Sequence, residues 1–310
     1  EATPLFPIFD GDENIWVSDP LEPRIWKFNI ETEKFTKYEF DGLTSITLEI
    51  DDKGRIWFTD IPEHKIGYFD PINEKFKIYD LPPLTPLNQD SIPIALLADN
   101  DGNIWVSITN KNKLVKFDPA AEKFTTFELP IEDSGPFALE LGPSGKVWFS
   151  QTLAGAIGFI DPKTEEVREF LRPEPLKGPE DIIFDDDGNM WIAEHTGTVI
   201  TKFNPILETF ESRTVPDSES LPFGMIFDQY KNLWFAQHVI DKIGVYDIQN
   251  NEILEVDIPT SQSFVQFITK DLQDNIWLVE QQGNKLAKIT LTETPNLSTV
   301  KKEISTMQDE

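Results

Sequence analysis

The sequence contains no cysteine. Disulfides, thiolate zinc sites, cysteine nucleophiles and iron–sulfur clusters are excluded together. Long apolar runs are missing as well: nowhere do 18 apolar residues follow one another, so the sequence offers no helical membrane span. Positive charge is in short supply, with 27 Lys and Arg against 55 Asp and Glu and a net charge of −28. Such a chain repels phosphate backbones and anionic membranes, so nucleic acid is not an expected partner. The charge suits solubility, salty surroundings and the attraction of cations or basic partners. The first residues, EATPLFPIF, show neither Met nor a basic-then-apolar leader and read as a processed or trimmed start. No Gly-rich phosphate loop and no nucleophile elbow occurs.

What is present can furnish a core: 39% of residues are apolar and 12% aromatic, which separates the chain from disordered sequences. The tryptophans carry the organisation. Trp16, Trp57, Trp105, Trp148, Trp191, Trp234 and Trp277 recur at gaps of 41 and 48 and then a steady 43 residues. Trp26, the eighth, sits elsewhere in the unit. Around each repeated tryptophan come an apolar run, a turn such as Asp99-Asn100-Asp101-Gly102-Asn103, the Trp-bearing run, and two further β-rich runs. Runs of four to eight residues rich in β-branched and aromatic types, punctuated by Asp-Gly and Asp-Pro, are strand and hairpin chemistry. No sustained 3.6-residue periodicity competes with them.

Four-strand units with a period in the forties predict an all-β fold, a single seven-bladed β-propeller. The blades read 4–40, 45–81, 93–129, 136–171, 179–215, 222–258 and 264–304, with Pro-rich connections at 82–92 and 172–178. The first blade starts directly at its first strand on Pro4, and the last supplies its own outer strand near 297–304. Blade one is therefore expected to pack on blade seven without the two ends sharing a blade. The polar tail 305–310 reads as a true end or the start of a linker. The sole N-glycosylation sequon is Asn296-Leu297-Ser298.

The unit resembles the virginiamycin B lyase (streptogramin lyase) propeller family. The resemblance is carried by Gly54-Arg55-Ile56-Trp57-Phe58-Thr59-Asp60, Gly188-Asn189-Met190-Trp191-Ile192-Ala193-Glu194, Lys65-Ile66-Gly67, Ile157-Gly158 and Lys242-Ile243-Gly244. It implies the propeller fold over nearly the whole chain. It also implies a lyase reaction that depends on a metal ion and on histidines following the first-strand proline in the last two blades. The pairs read as corresponding here are Pro222-Phe223 and Phe264-Val265, with no histidine in either. The family's base does not carry over, and streptogramin lyase activity is not expected.

A propeller site is expected where the start of strand one and the end of strand two open together, at the mouth of the central channel. Three residues past each tryptophan stand Asp19, Asp60, Ile108, Gln151, Glu194, Gln237 and Glu280, with His195 and His238 one residue beyond in blades five and six. After the strand-one proline or its equivalent stand Leu5, Ile46, Ile94, Phe137, Glu180, Phe223 and Gln266, with Asp181 behind Glu180. Glu180, Asp181, Glu194, His195 and His238 are thus the candidate metal ligands, and Glu194, His195 and His238 the candidate catalytic set. Imidazoles with carboxylates suit a divalent first-row ion, and carboxylates alone suit Ca²⁺ or Mg²⁺. A bound ion could polarise a carbonyl, or a histidine could act as base. The blander assignment is solvated loop residues, and His64 reads as surface. Asp185-Asp186-Asp187-Gly188 reads as a hairpin turn, because its equivalents are turns and the distal Glu of a calcium loop is missing. Glu49 and Glu140 share one strand-one position, facing channel water or paired between blades.

Three functions fit these features. One is a binding propeller outside the cytoplasm, taking a small molecule, cation or protein on its acidic loop face. Another is a metal-assisted lyase or lactonase-type hydrolase. The last is a structural module of a larger surface protein.

Overall fold

The computed structural model describes residues 2–42, 44–84, 91–172, 174–291 and 300–306. They form seven four-stranded antiparallel sheets, each with its strands in chain order, and besides them only two single-turn 3₁₀ segments, Thr109–Lys111 and His195–Gly197. This is the all-β, seven-bladed propeller fold expected from the repeat. Every sheet begins within its predicted span; the last extends two residues further, its outer strand being Val300–Thr306. The sequon lies outside the described residues.

The chain divides into two compact units. Unit one comprises Glu1–Ser45 and Thr214–Glu310 and holds blades one, six and seven; unit two, Ile46–Arg213, holds blades two to five.

The turn signal has a specific physical basis. Six residues before the tryptophan stands an aspartate in six blades: Asp10, Asp51, Asp99, Asp185, Asp228 and Asp271. One carboxylate oxygen accepts backbone N–H groups two and four residues on, closing the hairpin as an Asx turn. The other accepts the indole N–H, at 2.8 Å for Asp99 and Trp105 and 2.9 Å for Asp228 and Trp234. The tryptophans are nearly fully buried, so each N–H needs this partner. In Asp185-Asp186-Asp187-Gly188 the first carboxylate is committed to Asn189 and Trp191, so it is a turn. Blade four has Gly142 instead, and a Cβ there would lie 2.5 Å from Trp148 Nε1.

The Lys-Ile-Gly signature is explained by volume. Gly67, Gly158 and Gly244 on the third strands pair across the ladder with Phe58, Phe149 and Phe235 on the second. A Cβ at these glycines would meet the phenylalanine Cζ at 2.7, 2.5 and 2.0 Å. The other blades divide the space differently: Val17 faces Trp26, Val106 faces Val115, Ile192 faces Thr201 and Leu278 faces Ala287. Trp26 is therefore the large partner in blade one, opposite a smaller Val17. Close packing enforces this exchange of bulk.

Within unit two, each sheet buries its tryptophan face against the next. Trp57 and Ile66 join Ile104, Val106 and Phe117; Trp105 and Leu114 join Leu139, Val147 and Phe149; Trp148 and Ile157 join Ile182, Met190 and Phe203. Within unit one, Ile15, Val17, Trp26 and Phe28 of blade one join Trp277, Val279 and Leu286 of blade seven, with Phe28 and Trp277 centroids 5.5 Å apart. Blade one packs on blade seven, each built from one contiguous stretch, as expected.

A second repeated contact was not visible in the sequence. Seven residues past the tryptophan, a side chain reaches the segment that enters the next blade. His64 Nδ1 contacts Ser91 O at 2.6 Å. Asn112 Oδ1 accepts the Ser134 N–H at 3.0 Å and the Ser134 hydroxyl. Asp241 takes the N–H and hydroxyl of Ser263. His64, read as a surface residue, is half-buried and serves as one of these latches.

Candidate functional site

The strand register places the nominated residues. Val265 stands twelve residues before Trp277, as Pro222 stands before Trp234, and the pairings Ile268 with Leu278 and Met225 with Phe235 match. The pair equivalent to Pro222-Phe223 is therefore Val265-Gln266. Phe264-Val265 is one residue out of register, because the first-strand proline position, twelve residues before the tryptophan, is held by Val265.

In unit two, Glu194 does not open to a mouth. It is 1% exposed, and its carboxylate is held by the Arg172 guanidinium at 3.3 Å, the Lys177 N–H at 2.8 Å and the Thr201 hydroxyl. It forms a buried ion pair with Arg172, and both of its oxygens accept hydrogen bonds from within the protein. His195 opens the 3₁₀ turn after it, half-buried, its backbone N–H on Gly178 O. Glu180 and Asp181 lie on the first strand, Pro179–Phe184, and belong to a different grouping. The first strands of unit two bring Glu140 within electrostatic reach of Asp181 and Glu49, and Glu180 within reach of Asp181. Burial pushes the Glu49 carboxyl up to about 7 against the Ala98 N–H at 3.1 Å, which favours its anion. Burial, then the charges of Asp181 and Glu49, push Glu140 to about 8. Burial and Asp181 push Glu180 to about 7. Glu49 is thus tied to the neighbouring blade through Ala98, one of the two roles expected for it.

Among the described residues no three His, Asp or Glu side chains are grouped closely enough to hold a metal ion.

In unit one, His238 lies in an aromatic cluster. Its ring centroid is 5.8 Å from Phe223 and 6.2 Å from Phe264, edge-on to both. Phe223 meets Phe267 at 5.0 Å, and Phe267 meets Phe6 of blade one at 4.6 Å. Phe6, Phe264, Phe267 and His238 are all half-buried, so each keeps part of its surface accessible. Burial pushes the His238 imidazole down, which keeps it neutral at pH 7. The cluster occupies the start of the first strands of blades one, six and seven and the loop leaving the second strand of blade six. Phe223 therefore stands at the very position where the family resemblance calls for a histidine, and the imidazole beside it comes from another strand.

The virginiamycin B lyase family model matches residues 8–208 and again 163–305. The chain belongs to the virginiamycin B lyase family. The structure of virginiamycin B lyase from Staphylococcus aureus is similar at a TM-score of 0.85 and 26% identity, over 94% of this chain and 95% of that one. A catalytically inactive form of that lyase with quinupristin is similar at 0.84 and 26%, over the same shares. A streptogramin B lyase structure is similar at 0.83 and 22%, over 91% and 92%, a likeness of fold alone. No curated protein matches the chain. Among the described residues, no helix is long and apolar enough to cross a membrane.

Sequence reasoning reached His238 but missed Phe6, Phe264, Phe267 and Asp241. One signal was available. Thirteen residues before the tryptophan, blades four and five carry Gly135 and Gly178, and blade seven carries Phe264.

Proposed function

We propose that this member of the virginiamycin B lyase family binds a small molecule bearing aromatic or apolar groups and does not open it. The reading rests on the resemblance, which implies histidines after the first-strand proline position of the last two blades, where this chain has Phe223 and Gln266; Phe223 is built into a half-accessible aromatic cluster. Aromatic rings contribute contact area and edge-to-face attraction worth ~0.5–1.5 kcal/mol per pair, so such a cluster favours a ligand with rings of its own. The S. aureus relative with quinupristin makes quinupristin the natural first probe. The net charge of −28, suited to salty surroundings, supports a setting outside the cytoplasm.

The test is calorimetric titration with quinupristin, followed by chromatography of the mixture after long incubation with Mg²⁺. Saturable heat with full recovery of the parent compound is expected. Consumption of the parent would overturn the non-catalytic reading, and absence of heat would overturn binding of this class.

A second reading is favoured by the neutral His238 imidazole, which can accept a proton at pH 7. In this reading the chain is a lyase or lactonase-type hydrolase with His238 as base. Turnover abolished by His238→Ala would establish it; turnover unchanged in that variant would remove it.

A further inference from the structure

Phe264 holds a backbone conformation that two other blades give to glycine. At the equivalent position Gly135 and Gly178 have φ of +65° and +60°, and Phe264 has φ of +50°. With a Cβ this region costs ~1–2 kcal/mol, and a bulky residue stays there only when its surroundings over-determine it.

The over-determination comes from Asp241. Its Oδ2 accepts the Gln262 N–H at 2.9 Å, and its Oδ1 accepts the Ser263 N–H at 2.8 Å and the Ser263 hydroxyl at 2.9 Å. Both peptides leading into Phe264 are thereby fixed, including Gln262, itself at φ +57°. Burial raises the Asp241 carboxyl, but these three donors outweigh it and hold the group below its usual range. The equivalent latch in blade three is Asn112, whose single oxygen takes the N–H and hydroxyl of Ser134. There the next residue is Gly135, which takes positive φ at no steric cost. A carboxylate with two acceptor atoms replaces the amide where a phenylalanine replaces the glycine.

We infer that Asp241 is the positioning residue of the aromatic site: by capturing residues 262 and 263 it forces Phe264 into the left-handed backbone and sets its ring against His238. The ligand-facing surface then has a fixed shape before any ligand arrives, which lowers the ordering cost of binding. The functional meaning rests on the binding reading proposed above; the positioning itself does not.

The test uses the three histidines of the intact protein as NMR reporters. In the wild type, His238 titrates below the ordinary value of about 6.5. Asp241→Ala is expected to move it up toward that value, because a released Phe264 no longer buries it, and Phe264→Gly to move it equally. The ring signals of His64 and His195 should stay where they are in the wild type, which reports an intact fold. Asp241→Asn keeps the Ser263 bonds and loses that of Gln262, so it should restore most of the wild-type value. In the double variant, Asp241→Ala with Phe264→Gly, no further shift is expected beyond Phe264→Gly alone. A His238 titration unmoved by Asp241→Ala but moved by Phe264→Gly would overturn the inference. Should Asp241→Ala disturb all three histidines, Asp241→Asn decides: a His238 titration close to that of the wild type supports the positioning role, and one moved as far as in Phe264→Gly, with His64 and His195 undisturbed, refutes it. Quinupristin titration of the same variants is a separate readout. If the wild type fails to bind, the proposed function falls while the titration still judges Asp241.

Discussion

Removing the Asp99 carboxylate should destabilise the protein through the hydrogen bonds of its turn, and the structure sets the size. In Asp99→Ala the Trp105 indole N–H, fully buried, loses its acceptor at 2.8 Å. An unsatisfied buried donor costs ~1–3 kcal/mol. The Asp101 and Asn103 backbone N–H groups lose bonds of 3.0 and 2.9 Å, but they lie near the surface where water takes part of the load. Together they add ~1 kcal/mol, for a total near 3 kcal/mol. For domains of 150–250 residues each kcal/mol lowers Tm by ~2–4 °C, so a chain of this length should lose about 6 °C. Asp101→Ala is the control, because Asp101 is exposed and contributes only its backbone to the turn. Its melt should lie within ~0.5 kcal/mol of wild type. Asp99→Asn, which keeps one acceptor but turns an amide toward the indole, should fall between the two. The assay is thermal unfolding followed by near-ultraviolet circular dichroism of the tryptophans. Coincident melts for Asp99→Ala and Asp101→Ala would refute the idea that the carboxylate serves the buried indole.

Two further outcomes follow from packing and charge. Gly244→Ala puts a Cβ 2.0 Å from Phe235 Cζ. It should cost about 3 kcal/mol in a denaturant melt, with Phe235→Val recovering most of it; Gly188→Ala, strained at φ +78° but open, should cost only ~1 kcal/mol. Equal losses at both glycines would contradict the exchange of bulk across the ladder. For Glu140, raised to about 8, the folded state binds the proton more tightly than the unfolded state. Its contribution is therefore complete below about pH 4.5 and is lost as pH rises through about 8. Glu140→Gln should flatten the fall in stability between pH 5 and pH 8, by ~1–2 kcal/mol once solvent screening of a half-buried group is allowed for. Parallel pH profiles of the variant and the wild type would contradict this.

The fold was legible because it is written seven times. The Trp spacing, the Asp-Gly-Asn turns and Lys-Ile-Gly each report a local requirement: an indole needing an acceptor, a hairpin needing a positive φ, a phenylalanine needing an empty neighbour. The candidate site was only partly legible, because it departs from the repeat. Glu194 occupied a promising position, but side-chain direction decided its fate, and Arg172 lies 22 residues away in sequence. Asp241 and Ser263 are equally remote, and nothing local marks their contact. Phe264 was only weakly marked, since two blades carry glycine at its position but the others carry Thr3, Thr44, Ile92 and Leu221, and a shift of one residue concealed it.

The terminal sheets carry a consequence for biosynthesis. Each is completed from a single stretch of chain, so every backbone ladder can close as its residues leave the ribosome, with no strand waiting for a distant partner. Only side chains such as Phe28, Trp26 and Trp277 must wait until the end to meet. Blade one and blade seven can then meet as two sheets whose ladders are already complete, joined through an apolar face.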